Sequence, residues 1–130
     1  MTPRATLQWG ALNGLLAVAA GAFAAHGLKS QLPADLLAIW QTGVQYQAMH
    51  ALALLAVGLL TLQHPSRAGR LAGWLFLGGI IIFSGSLYLL ALIGVRWLGV
   101  ITPLGGAAFL GGWLAFLVAA RNLPISSPLA

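Results

Sequence analysis

Apolar positions along this chain gather into four long runs, each close to the length of a bilayer-crossing helix. Spanning the hydrocarbon takes about 20 mostly apolar residues at 1.5 Å of rise each. The first run covers residues 6–25 and is closed by His26 and Gly27, which predicts a span over 6–26. His26 suits the negative end of a helix dipole, and Gly27 the left-handed position beyond a helix end. The third run, 71–93, holds no charged residue and would make about 34 Å of helix. The fourth is predicted over 103–120, with Thr102 as N-cap and Pro103 at the first helical position, where a missing N–H costs nothing.

The second run begins differently. "WQTGVQYQAMHALALL", residues 40–55, carries Gln41, Gln45, Tyr46, Gln47 and His50 before it turns apolar. A helix starting at Pro33, with Asp35 in its first turn, would reach about 45 Å by Leu62, longer than the hydrocarbon is thick. A bend near Gly43 resolves the excess: a short interfacial helix over 33–43, then a span over 44–62. Trp40 and Tyr46 are then the amphipathic aromatics of the headgroup region. The expected architecture is all-α, a single-domain integral membrane four-helix bundle with a short interfacial helix between its first two spans. Arg4, an apolar run and "AFA" at 22–24 imitate a signal peptide. The run is long for a signal core and carries Asn13 and several glycines at packing positions, so it is expected to stay as a permanent helix.

Composition strengthens the membrane assignment. The chain is 60% hydrophobic and 5% charged, against about 25% charged in soluble domains. The lipid bilayer is therefore its expected solvent. The net charge of +5 does not point to nucleic acid, because the six basic residues are scattered through the gaps between apolar runs. Arg4, Arg67, Arg70 and Arg121 flank one side of the predicted topology, Lys29 and Arg96 the other. Four against two predicts a multi-pass protein with both termini in the cytoplasm. No cysteine is present, which removes disulfides and thiolate metal sites.

Helices in lipid adhere through close backbone approach and interhelical hydrogen bonds. The candidate packing positions are Gly10 and Gly14, the series Ala17, Gly21 and Ala25, Gly85 on the third span, and the ridge Ala107, Gly111, Ala115 and Ala119. Such stripes serve packing within one bundle or association with another chain. A faint repeat, Trp9 with Gly14 and Trp74 with Gly79, is compatible with a duplicated hairpin.

The polar residues gather at one depth. With that topology, Tyr46, Gln47 and His50 fall in the outer part of the second span, on a face shared with Gly43, while Gln41 and Gln45 lie opposite. His26 and Lys29 end the first span on the same side. Ser84, Ser86 and Tyr88 approach it on the third, and Thr102 opens the fourth there. These groups form either an internal polar clasp that fixes helix register, or a cavity open to the periplasm. His50 is the one near-neutral titratable group well inside a span, yet no acid accompanies it to make a proton relay. A metal site on His26, His50 and Met49 fails on helix geometry, since Met49 points about 100° away from His50. His64, beside Pro65, reads as loop. Asp35 is the sole acid, so paired-carboxylate catalysis is impossible. Triads, phosphate loops and zinc signatures are missing as well. No enzyme activity, cofactor or metal is expected.

"GAFAAHGLKSQL", "WQTGVQYQAMHALALL", "FSGSLYLLAL" and "ITPLGGAAFLGGW" resemble, in order and spacing, the YgdD/YwdK family of small bacterial inner-membrane proteins, a family of unknown function with a mitochondrial relative. The matching positions are Gly21, His26, Gly27, Lys29, Trp40, Thr42, Tyr46, Gln47, His50, Ser84, Gly85, Pro103, Gly105 and Gly106. Gly43 departs from the alanine often found there. The resemblance implies four spans and inner-membrane residence, but no reaction, substrate or cofactor. Two functions follow as expectations. The first is a non-catalytic accessory or scaffold subunit that binds itself or another membrane protein. The second is a small transporter, channel or ligand-binding protein built on the pocket around His50, Gln47 and Tyr46.

Overall fold

A computed structural model describes residues 1–124. Helix α1 (Pro3–Phe23) is capped by Thr2, whose hydroxyl accepts from the Ala5 N–H at 3.2 Å. It runs on through a wider π-turn, Ala24–Leu28. Helix α2 is Ala34–Gln63. Helix α3 (Arg67–Gly79) is capped by the Ser66 hydroxyl and passes through a second π-turn, Ile80–Ser84, into α4 (Gly85–Ile93). Gly94, with φ of +70°, closes α4 in the left-handed conformation that glycine adopts without a Cβ clash. A 3₁₀ turn, Arg96–Val100, leads into α5 (Thr102–Arg121). These segments make four helices long and apolar enough to cross a membrane: Pro3–Leu28, Ala34–Gln63, Arg67–Ile93 and Arg96–Arg121. The four expected spans are all present.

Glycines let large side chains sink into the backbone of the neighbouring helix. In the first hairpin, Leu55 lies over Gly10 and Leu7 over Gly58; an added Cβ would stand 2.9 Å and 2.7 Å from these leucines. In the second hairpin the same device uses phenylalanine: Phe83 covers Gly105, Phe109 covers Gly79 and Phe76 covers Gly112. Without a hydrophobic force between helices in lipid, such close packing is the main source of adhesion. The second and third spans form the centre: 44% of the residues in the most apolar stretch of each are buried, against 22% and 17% in the first and fourth. Leu54, Val57, Ala72, Phe76 and Ile80 fill the interior where they meet.

Three expectations need correction. First, α2 is unbroken across Gly43, so a separate interfacial helix over 33–43 does not form. The ring of Tyr88 occupies the space at Gly43, 2.8 Å from where a Cβ would stand. One turn earlier, Trp40 is 7% exposed and donates its indole N–H to the Ala20 carbonyl at 3.0 Å. First turns packed in this way belong to the bundle and continue the second span without interruption. Second, Gly27 does not take the left-handed position; it lies inside the π-turn with the Phe23 ring against it. Third, Thr102 does not cap α5, and its hydroxyl instead pairs with Ser86 at 2.7 Å.

The expected packing stripes are partly misplaced. Gly10, Ala17 and Ala115 are buried and Gly21 meets Val44, but Gly14 and Gly85 have no neighbouring atom within 4 Å of an added Cβ. Ala25 and Ala107 are exposed and Gly111 only half-buried. The buried stripe of α5 is Gly105, Phe109, Gly112, Ala115 and Ala119. It keeps Ala115 and Ala119 of the expected ridge but has Gly105, Phe109 and Gly112 in place of Ala107 and Gly111, because Phe76 of α3 and Phe83 of the second π-turn are seated on Gly112 and Gly105.

Candidate functional site

The polar residues divide between two sides of α2. On one side, Gln47 stands between α1 and α4. Its amide nitrogen donates to Asn13 Oδ1 at 3.0 Å, and its carbonyl oxygen accepts from the Tyr88 hydroxyl at 2.7 Å. Asn13 in turn donates to the Trp9 carbonyl at 2.9 Å. The Ser84 hydroxyl, at the end of the π-turn, donates to the Gly43 carbonyl at 2.8 Å. Tyr88 is held between this chain of bonds and the Trp40 ring, whose centroid is 4.5 Å away. Three helices are thus tied at one level by side chains that lipid would otherwise penalise.

On the other side, His50 joins α2 to α5. Its Nδ1 lies 2.8 Å from the Tyr46 carbonyl and its Nε2 3.1 Å from Trp113 Nε1. An indole nitrogen can only donate, so Nε2 accepts and Nδ1 carries the proton to the carbonyl. This is the neutral imidazole with both nitrogens engaged. Phe109 stacks on the ring at a centroid distance of 3.5 Å, with planes 5° apart. Tyr46 packs on Phe83 and Phe109 and remains half-exposed.

Of the eight expected pocket residues, the structure joins Gln47, Ser84 and Tyr88 on one side, and Tyr46 and His50 on the other. Ser86 forms its own pair with Thr102. His26 and Lys29 are exposed at the end of the first span and join neither group. The reason is that Ala24 and Leu28 take the inward face of the π-turn, which leaves His26 on its outward side and Lys29 just past its end. Two members are additions. Asn13 was placed only as a packing residue, yet it is the one asparagine inside a span, and antiparallel pairing of α1 with α2 brings it to Gln47. Trp113 was legible only as an aromatic, because nothing local to α5 marks its partner. Among the described residues, no buried side-chain nitrogen or oxygen lacks a hydrogen-bond partner, and no three His, Cys, Asp or Glu residues come together.

Each side opens into a lipid-facing groove. The Gln47 side has a cavity of about 620 Å³ between the first and third spans, with Asn13, Gln47, Ser84 and Tyr88 among its lining residues. The His50 side has one of about 530 Å³ between α2 and α5, lined by Tyr46, Met49, His50 and Trp113 among others.

Four apolar spans seated on glycines and clasped by buried polar side chains define a polytopic α-helical membrane protein. Comparison with known sequences then supplies the family. Residues 20–106 match the model described as "Protein of unknown function (DUF423)", and the chain belongs to that family. It is 50% identical over 113 residues to the UPF0382 membrane protein YwdK of Bacillus subtilis, covering 85% of this chain and 91% of that relative. A UPF0382 membrane protein of Staphylococcus saprophyticus is 47% identical over 109 residues, covering 84% of this chain and 90% of its own length. No solved structure matches.

Proposed function

We propose that this chain is a non-catalytic accessory or scaffold subunit of a bacterial inner membrane, bound to copies of itself or to a larger membrane complex, with both termini in the cytoplasm. The observation that carries the reading is a lipid-facing furrow of small residues along the first hairpin. Gly10, Ala11, Gly14, Ala48 and Ala51 line it, with Leu15, Val18 and Leu52 beside them, around a hollow of about 370 Å³. Gly14 has open space in front of it, and small residues are what membrane helices use to approach one another. The polar interior supports the same reading. His50, Gln47 and Tyr88 hold helices together, and His50 uses both ring nitrogens in doing so.

Charge supports the orientation. Arg4, Arg67, Arg70 and Arg121 lie at the end of the bundle where α1 begins and α5 ends. At the other end Arg96 sits 3.4 Å from Asp35, so that end carries less free positive charge. Native mass spectrometry of gently solubilised membranes, with a carboxyl-terminal tag, tests the proposal. A stoichiometric partner or a homo-oligomer that Gly14→Ile dissolves is the expected result. A monomer without partners at native expression would overturn it.

A further inference from the structure

We propose that the groove between the first and third spans binds a membrane-soluble, uncharged ring-carbonyl compound of the quinone type, its ring on the polar floor and its tail in lipid. This is independent of whether the chain assembles with a partner.

The floor carries the argument. A primary amide has two N–H donors. Asn13 spends one on the Trp9 carbonyl and Gln47 one on Asn13 Oδ1. Each amide therefore keeps one N–H without a protein acceptor, and both residues line the groove. They are 5% exposed each and lie where no bulk water is at hand to take the bond. An acceptor oxygen entering the groove would satisfy them.

The walls narrow the chemistry. Phe23, Trp40 and Tyr88 offer aromatic faces, and no charged side chain lines the groove. An ionised headgroup would lose its hydration there without a counter-charge, whereas a flat neutral ring loses little. Depth excludes an ordinary phospholipid carbonyl. Asn13 is ten residues beyond Pro3, about 15 Å along the helix, which is half of a hydrocarbon core about 30 Å thick. Ester carbonyls stay at the surface of that core; a ring carbonyl on an apolar tail can enter it. The volume of about 620 Å³ lies within the range usual for small-molecule pockets, about 300–1,000 Å³. The π-turn Ile80–Ser84 forms part of the wall, and such turns recur at functional sites.

The test is a titration of the full chain, in phosphatidylcholine nanodiscs, with a decyl-substituted benzoquinone, read by tryptophan fluorescence. The expected result is saturable quenching that disappears in Trp40→Phe, since Trp40 lines the groove. Gly85→Leu fills the groove from a position with free space around it, so the fold is kept while affinity falls at least about tenfold, the equivalent of one good contact. Asn13→Leu should weaken binding similarly through the lost donor. Non-saturable quenching, or saturable quenching that Gly85→Leu leaves unchanged, would sink the proposal. So would a phospholipid that stays bound in native mass spectra and that the quinone does not displace.

Discussion

The indole N–H of Trp113 donates to Nε2 of His50 at 3.1 Å, a bond that crosses from the last helix to the second. It fixes which imidazole nitrogen holds the proton, and the Phe109 stack fixes the plane of the ring. Trp113→Phe keeps the aromatic packing on Phe76 but leaves Nε2 without a donor. It should lower unfolding stability in detergent by about 1 kcal/mol, within the range measured for interhelical bonds in membranes. His50→Leu should cost a similar amount, and the double variant less than the sum, because both remove one bond. Additive losses in that cycle would mean that the bond contributes nothing.

Gly43 separates two physical roles with one substitution. A flexible glycine inside a helix is improved by alanine, by about 1 kcal/mol. A glycine that seats a ring is damaged by it. Here the ring is that of Tyr88, held from behind by Trp40 and at its hydroxyl by Gln47, so it cannot swing away. Gly43→Ala should therefore destabilise by about 1–3 kcal/mol, as overpacking does. Gly14→Ala, with free space at its Cβ, should leave the isolated chain as stable or slightly more so. Thermal unfolding of the two variants side by side decides the matter, and a stabilised Gly43→Ala would restore the hinge.

The ion pair of Asp35 with Arg96 joins the start of α2 to the turn before α5 at 3.4 Å. Both side chains are mostly exposed, 57% and 79%. Screening and side-chain entropy leave exposed pairs worth less than about 1 kcal/mol. Asp35→Asn should therefore change the unfolding midpoint little, and any effect should vanish in high salt. A large salt-independent loss would show that Asp35 does something other than pair with Arg96.

The sequence was informative where one physical rule acts locally. Apolar run length placed the four spans, and the last residue of the third, Ile93, falls where it was expected, with Gly94 closing the helix. The polar face of α2 was legible too, since Gln47 and His50 had to find partners at depth. What periodicity could not supply was the identity of those partners. Tyr46 and His50 on one side, Gln47 on the other, are separated by only part of a turn, so a single expected pocket became two. Gly43 looked like a hinge because glycine weakens any helix, and only the distant Tyr88 turns it into a seat. Of the ridge Ala107, Gly111, Ala115 and Ala119, only the last two are buried, for the same reason: which small residue faces inward depends on the phenylalanines of the third span.

The interlocked phenylalanines and glycines of the second hairpin lead to a last expectation. Phe83 lies over Gly105 so closely that an added Cβ would meet its backbone nitrogen and Cα as well as its side chain. At Gly112 the obstacle is only the Phe76 ring, 2.6 Å away, and a ring can tilt. At Gly105, relief requires moving helix against helix. Gly105→Ala should therefore be the more damaging of the two, by at least about 1 kcal/mol, and both should exceed Gly106→Ala, where the Phe83 ring stands 3.9 Å off. The helix propensity gained is the same at all three positions, about 1 kcal/mol, so the ranking isolates the contact. Unfolding midpoints of the three variants in one detergent measure it. Equal midpoints would mean that the fourth span is not held by this close approach and that its attachment to the third span rests on side-chain contacts alone.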